Sequence, residues 1–215
     1  MDKAAVLDFF RKYILGWMCS DIENCIKAKA NFAVAALLMT YTENIGALIE
    51  GHLGLTGTSE KDFNTFLEYF DFKTESNYYR DFKIKYQDSN SSAVQTANIY
   101  KAFRCGLIHE YAPKFPCAIE NHSDNIDHFT ENDPGIGWCY PAVSINCTSY
   151  SGSSGYMSQT TAAGPFLRLH TNAYFRDFKN ALNKIFEKIS VQQNQILINN
   201  VQTSLDRVLG RKIIP

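Results

Sequence analysis

The sequence lacks an excess of charge of either sign. Its 21 lysine and arginine side chains are matched by 22 aspartate and glutamate side chains, which leaves a formal net charge of -1. A protein that binds nucleic acid over its whole surface needs a clear positive excess, so we do not expect this class. A local basic patch stays possible, and residues 166–215 carry eight basic against three acidic side chains. Such an excess is usually a solvated face, but it could also face RNA.

Long uninterrupted hydrophobic runs are also missing. Asp2, Asp8, Arg11 and Lys12 interrupt the apolar pattern at the N-terminus, which is unlike the core of a secretory signal. The longest stretch of low charge, residues 30–42, is too short and too polar at its ends to span a bilayer. We therefore expect a soluble cytoplasmic protein without membrane contact.

The six cysteines form no CxxC pair and no spacing typical of a disulfide framework. Reduced thiols are therefore expected. Cys117, His122, His128 and Cys139 are candidate zinc ligands, but structural zinc sites bring their ligands in close pairs, and these residues have 4, 5 and 10 residues between them. Buried thiols and surface histidines are the alternative that we favour, so the sequence predicts neither a metal nor a cofactor.

Apolar residues recur at steps of three and four through most of the chain, which is the spacing of one helical face. A capping box at Ser20 and Glu23 marks the start of a central helix that ends near Gly51 or Gly54. Thr58 or Ser59 caps a third helix. The predicted helices up to and including the motif residue His109 cover residues 3–18, about 20–51, 58–70, 76–86 and 94–109.

The period changes between residues 117 and 171. Residues 118–121, 136–145 and 166–171 look extended and are expected to form a two- or three-stranded sheet. The acidic residues 118–134 and the Ser, Gly and Thr-rich residues 148–164 are expected to be loops. Asn172 then caps a strongly amphipathic helix, and a last helix covers residues 191–209. The predicted fold is mainly α, a single domain of residues 1–215 whose helical bundle has a small β-containing insertion (about 117–171) before two C-terminal helices.

The segment YKAFRCGLIHEYAPK, residues 100–114, carries the chemistry that stands out. Arg104 and His109 are separated by four residues, with Gly106 between them and Pro113 near the end. Residues five apart on an ideal α-helix point about 140° away from each other. We therefore expect these two side chains to converge only through a distorted turn or through a second subunit.

If the two side chains converge, their chemistry suits RNA. A histidine can take a proton from a ribose 2'-hydroxyl or give one to a leaving oxygen, while an arginine holds the phosphate through two parallel hydrogen bonds. The alternative is structural: Arg104 pairs with a carboxylate such as Glu43 or Glu110, and His109 caps the end of the helix. Spacing alone does not decide between them.

This arginine and histidine, followed by Glu110 and Tyr111, resemble the R-x4-6-H motif of the HEPN superfamily of nucleotide-binding domains. The motif segment and the helix NFAVAALLMTYTENIGAL also look like a group of uncharacterised bacterial proteins. The resemblance implies an all-helical homodimer in which two motifs face each other, and a metal-independent ribonuclease activity. It makes Arg104 the phosphate-binding residue and His109 the general acid or base, with Cys105, Glu110 and Tyr111 as candidate substrate-binding residues.

Cys105 departs from the pattern of the catalytic members, which carry Asn, Asp or His at this position. A thiol is a weak hydrogen-bond donor and does not orient a ribose or phosphate as an amide does. From the motif residues, we still expect an endoribonuclease that acts in stress response or phage defence. A non-catalytic helical module that binds nucleotide, nucleic acid or protein is the alternative.

Overall fold

The computed structural model describes residues 3–72, 75–87, 93–110, 117–120, 133–139, 146–150, 157–161 and 166–210. The chain divides into two compact units. One comprises residues 1–24, 40–80 and 178–215, and the other comprises residues 25–39 and 81–177. The prediction of a single domain stays a prediction.

The chain begins with one unbroken helical run: α1 (Lys3–Phe9), a π-helix (Phe10–Met18) and α2 (Cys19–Lys27). Its buried side chains are Val6, Phe10, Ile14, Cys19 and Ile22. The step from Ile14 to Cys19 is one residue longer than an α-helical step, and a π turn accommodates the additional residue. The predicted helix start at residue 20 is therefore wrong, because the proposed capping residues lie inside a continuous helix.

The chain breaks instead at residues 28–30 and continues as α3 (Asn31–Ile49). Lys29 adopts a left-handed conformation with φ of 56°, and its backbone N–H donates to the carbonyl of Ile26. Within the described residues, α3 is the helix long and apolar enough to cross a membrane, and 56% of its apolar window is buried. Core helices of soluble proteins pass the same test, so α3 assigns no location.

An aromatic cluster forms the core around α4 (Ser59–Leu67), the predicted third helix. The ring of Phe66 packs edge-to-face on Phe70 and on Phe178, with centroid distances of 5.2 and 5.3 Å. Phe70 in turn contacts Tyr79 at 5.1 Å. All four rings are fully buried, and edge-to-face contacts stabilise beyond the burial of apolar area alone.

Short strands occupy the region where a fourth helix was predicted. The strands β1 (Asp71–Phe72) and β2 (Glu75–Ser76) pair, the helix α5 spans only Tyr78–Asp81, and β3 (Ile84–Gln87) pairs with β4 (Val94–Ala97). The prediction of helix over residues 76–86 and 94–98 is thus largely wrong. Ile84 and Ala97 are register partners and are both buried, so cross-strand burial outweighs the local helical pattern.

The predicted sheet in the insertion is confirmed. Its strand order is β5-β9-β6, with β9 parallel to β5 and antiparallel to β6. The three strands are β5 (Cys117–Glu120), β6 (Ile136–Cys139) and β9 (Phe166–His170). The predicted loop at residues 148–164 is wrong where β7 (Asn146–Tyr150) pairs with β8 (Met157–Thr161). The strand predicted for residues 140–145 and most of the acidic loop lie outside the described residues.

Two helices, α7 (Thr171–Ser190) and α8 (Gln195–Leu209), close the chain. The predicted cap at Asn172 is wrong, because the ring nitrogen Nδ1 of His170 accepts the backbone N–H of Ala173 at 3.1 Å. Asn194 caps α8 by accepting the backbone N–H of Leu197. The predicted fold class, mainly α with a small β-containing insertion before two C-terminal helices, is confirmed.

Candidate functional site

The motif residues lie on a short helical segment that begins as a π-helix and continues as an α-helix. A second π-helix (Tyr100–Arg104) runs directly into α6 (Cys105–His109). The backbone N–H of Cys105 donates to the carbonyl of Tyr100, five residues back, as in a π turn. The backbone N–H of Glu110 donates to Gly106, four residues back, as in an α turn. The segment is thus a widened turn followed by a single stretch of ordinary helix.

Burial divides this segment into an inner and an outer side. Ala102, Phe103, Gly106 and Leu107 are buried, whereas the end of the segment at His109 is exposed. The apolar side chains therefore fix the helix to the protein body by the hydrophobic effect. The polar end is left accessible to a ligand.

Arg104 and His109 meet within one chain. The guanidinium Nη1 of Arg104 lies 2.9 Å from Nε2 of the His109 ring. The sequence allowed the two side chains to converge through a distorted turn or through a second subunit, and the contact forms within one chain, where the widened π turn ends at Arg104. Five residues advance a helix by about 7.5 Å, which the long arginine stem covers, and helical side chains lean back toward the N-terminus. His109 therefore leans toward Arg104, and no second copy is needed for the contact.

The contact assigns the roles of the two nitrogens that meet in it. An arginine is always charged and has only donors, so Nε2 of His109 must accept this hydrogen bond. A neutral ring then carries its proton on Nδ1. The Arg104 guanidinium also lies 5.6 Å from the centre of the Tyr100 ring, within the range of a cation–π contact. The arginine is thus supported from one side by an aromatic ring and directed toward the histidine on the other.

The remaining candidate residues, which follow Arg104 or His109 in the sequence, differ in their burial. Cys105 is a free, half-buried thiol directly after Arg104. Glu110 is exposed and caps the C-terminal end of α6, directly after His109. Tyr111 lies outside the described residues. Cys105 and Glu110 are therefore adjacent to the pair in sequence, and their role as substrate-binding residues stays a prediction.

A second histidine site was not predicted. Nδ1 of His52 lies 2.7 Å from Oδ1 of Asp62, whose side chain is only 2% exposed. His52 follows the end of α3 and Asp62 lies in the first turn of α4, so the pair closes the connection between these helices. No spacing rule joins two residues ten apart across a loop. A histidine directly after Gly51 was the one signal, and it is a weak one.

The loop that carries His52 is anchored to α8. The side-chain amide of Asn200 donates to the carbonyl of Ile49, and the Arg207 guanidinium donates to the carbonyls of Gly51 and Leu53. The hydroxyl of Ser204 lies 3.1 Å from the carbonyl of Leu48. These bonds add hydrogen-bond donors for carbonyls at and just beyond the end of α3, where the helical hydrogen-bond ladder stops. The His52–Asp62 pair is accordingly part of a structural anchor.

Metal ligands do not gather in the part of the chain that the structure describes, where no group of three or more His, Cys, Asp or Glu side chains comes together. His122 and His128 lie outside the described residues. Cys19 is buried, and its burial raises the pKa of the thiol to about 11. Since only the thiolate is a good nucleophile, Cys19 is not a candidate for covalent chemistry.

Comparisons with known protein families, with characterised proteins and with solved structures find no match to this chain. The HEPN resemblance therefore rests on the motif residues themselves. Homodimer formation, RNA or nucleotide binding and a cytoplasmic location stay predictions.

Proposed function

We propose that this chain is a HEPN-like, metal-independent endoribonuclease that works as a cytoplasmic homodimer. The observation that supports the proposal is the 2.9 Å contact between Arg104 and His109 at the exposed end of α6. Two residue types that suit RNA cleavage converge there, a phosphate-binding guanidinium and an imidazole that can transfer a proton.

His109 is the proton-transfer residue in this proposal. Because its Nε2 accepts a hydrogen bond, this nitrogen has the lone pair that a general base requires. When an RNA phosphate arrives, the Arg104 guanidinium binds the phosphate oxygens and releases Nε2 to the ribose 2'-hydroxyl. Arginine has five donors in a planar fork, so it can bind two phosphate oxygens at once.

The reaction is an internal displacement at phosphorus. Nε2 of His109 takes the proton of the 2'-hydroxyl, the 2'-oxygen bonds to phosphorus, and the bond from phosphorus to the 5'-oxygen breaks. The products are a 2',3'-cyclic phosphate and a 5'-hydroxyl. Arg104 stabilises the negative charge that grows on the phosphate oxygens during this step.

A homodimer gives the leaving oxygen its proton. A single imidazole that has just taken a proton on one side of the phosphate is poorly placed to give one to the opposite side. In the proposed dimer, the second protomer's His109 is protonated and donates to the 5'-oxygen. The two histidines then exchange roles through solvent after each turnover. Stress response or defence against phage is the setting in which such an activity would serve.

Cys105 favours a second candidate, a module that binds RNA or nucleotide without cutting it. The half-buried thiol directly follows Arg104, at the position where an amide or carboxylate would orient the ribose. Its donor strength is low. In this alternative Arg104 still binds phosphate, and His109 contributes a hydrogen bond rather than a proton transfer.

Cleavage of single-stranded RNA in EDTA tests the proposal. The wild-type chain is expected to cut, and His109→Ala is expected to lower the rate at least 100-fold, which is the usual contribution of a general acid–base residue. Arg104→Lys retains the charge but loses the planar fork, so it should lower cleavage by a smaller factor. Mass spectrometry of the products should find cyclic phosphate ends.

Lys83→Ala is the matched control, because it removes an exposed cation outside the motif and should leave cleavage unchanged. Circular dichroism of each variant checks that the fold is intact. Cleavage that persists in a well-folded His109→Ala variant would contradict the nuclease proposal. RNA affinity that falls in Arg104→Ala, in a chain that never cuts, would support the binding module instead.

A further inference from the structure

Three aromatic side chains form a continuous row on the first helical run. Phe9 contacts Tyr13 with ring centroids 5.2 Å apart, and Tyr13 contacts Trp17 edge-to-face at 4.7 Å. Tyr13 is 37% exposed and Trp17 is 59% exposed. We call these three residues the aromatic row. The inward side of the same π-helix is formed by Phe10 and Ile14, both buried, and the half-buried Phe9 contacts Phe10, so Tyr13 and Trp17 are the exposed members of the row.

Positive charge accompanies the aromatic row. Nζ of Lys12 lies 5.3 Å from the centre of the Tyr13 ring and 5.8 Å from that of Trp17. The exposed Arg11 lies beside it in sequence, with its guanidinium 5.4 Å from the centre of the Phe186 ring. From residue 3 to residue 18 the chain has three basic side chains and one acidic side chain, Asp8. The surface thus combines flat apolar rings with a local excess of positive charge.

We propose that the aromatic row binds single-stranded nucleic acid. Proteins that hold single strands combine aromatic rings, on which bases stack, with cations that meet the phosphates. Lys12 is placed for the second task, because its ammonium lies beside two of the rings on which bases would stack. A double helix hides the faces of its bases, so the row selects unpaired strands. Binding here requires neither Arg104 nor His109, so the inference goes beyond the proposed nuclease.

The lysine also favours a nucleic acid over a second copy of the chain. Protein–protein interfaces are depleted of lysine at their centre, because an ammonium that loses its water is costly without a partner. Lys12 would lie in the middle of any protein contact that covered Tyr13 and Trp17. A phosphate backbone supplies the missing negative charge at that place.

Trp17 itself reports on binding. The chain has two tryptophans, so Trp138→Phe leaves Trp17 as the single fluorescent indole. The test adds His109→Ala and EDTA to prevent cutting, and titrates with an oligouridine RNA of about twelve nucleotides, within the range that a single-strand site covers. Stacking of a base on the indole is expected to quench its emission in a saturable way. Unchanged emission up to millimolar RNA would overturn the proposal.

Affinity is then compared among variants by anisotropy of a labelled oligouridine. Tyr13→Ala and Trp17→Ala are each expected to weaken binding about 5- to 150-fold, the usual effect of losing one stacked base. Lys12→Gln should reduce the slope of log affinity against log salt by about one. Ile196→Ala, which truncates another exposed apolar side chain in α8 (75% exposed), is the matched control and should change nothing.

Sedimentation of the same variants tests whether the aromatic row binds nucleic acid or a second copy of the chain. If Trp17→Ala dissociates a dimer and leaves RNA affinity unchanged, the aromatic row is a contact between copies of the chain, and the proposal is refuted. Loss of RNA affinity at constant mass and constant circular dichroism supports it. A chain that binds RNA through the row but never cuts would refute only the nuclease.

Discussion

The contact between the His52 ring and the largely buried Asp62 side chain, in the connection from α3 to α4, is expected to stabilise the protein measurably. In His52→Ala the Asp62 carboxylate loses the ring nitrogen that lies 2.7 Å from it and stays in a position that is 2% exposed. A buried carboxylate that loses its hydrogen-bond partner costs free energy, because water compensates only partly for its burial. The free energy of unfolding should therefore fall.

The size of the effect follows from the burial of the two side chains. Removal of one partner from a fully buried pair costs about 3–5 kcal/mol, and a hydrogen bond to a charged group contributes about 1.5–3 kcal/mol. The His52 side chain is 23% exposed, so water reaches the site and the lower range applies. We expect a loss of about 2–3 kcal/mol, which corresponds to a drop in Tm of about 4–12 °C for a chain of this size.

A double-mutant cycle measured by urea unfolding tests this reasoning. In His52→Ala/Asp62→Ala the buried charge is removed together with its partner, so the double variant should lose about 1.5–3 kcal/mol less than the sum of the single variants. Lys61→Ala is the control, because Lys61 lies beside Asp62 in α4 and its contact to Glu50 is largely exposed, so its loss should cost less than about 1 kcal/mol. Single losses that add to within about 0.5 kcal/mol would refute the coupling.

Two further predictions concern close packing and thiol chemistry. A Cβ at Gly46 would lie 1.7 Å from the backbone carbonyl oxygen of Asp62, so Gly46→Ala should cost at least about 3 kcal/mol of unfolding free energy. Gly57→Ala, where nothing lies within 4 Å but φ is +83°, should cost only about 1–2 kcal/mol; equal losses would contradict the packing argument. Because burial raises the pKa of Cys19 to about 11, only about one thiol in a thousand is ionised at pH 8. Iodoacetamide labelling followed by mass spectrometry should therefore modify the less buried cysteines first, and early labelling of Cys19 would count against its burial.

The helices with the strongest amphipathic pattern could be predicted from the sequence. In α7 the apolar residues recur at steps of three and four, and α4 begins beside Thr58 as expected. The strand β9 was recognisable because the letters FLRLHT alternate. In these elements the residues that face the core are neighbours along the chain, so local spacing contains the information.

Elements that depend on distant partners could not be predicted. The helical spacing around Val94 competes with a strand pairing that places Ala97 opposite Ile84, thirteen residues away. Likewise, the break before α3 depends on the left-handed conformation of Lys29, a residue type that gives no warning of it. Local pattern cannot show which of two arrangements buries more area.

The sequence identified the residues of the candidate site but did not predict which of their side chains are in contact. The motif spacing identified Arg104 and His109, yet ideal helix geometry separated them, because it describes where side chains start and not where a long side chain ends. The His52–Asp62 pair depends on how closely α3 approaches α4, which the lack of a side chain at Gly46 permits. Such an approach is a property of packing, and spacing rules do not contain it.

The anchoring of the α3–α4 connection by α8 has a consequence for synthesis on the ribosome. The hydrogen bonds from Asn200, Ser204 and Arg207 join residues that are 151 to 156 positions apart. The end of α3 leaves the ribosome long before its partners in α8 are synthesised. Until then its carbonyls can form hydrogen bonds only to water or to local groups. This unit can therefore reach its final form only after α8 has been synthesised and has left the ribosome, whereas earlier segments can form only local helix. A stop codon shortly before Asn200 would leave a nascent chain with an exposed apolar face, a substrate for chaperones and proteases.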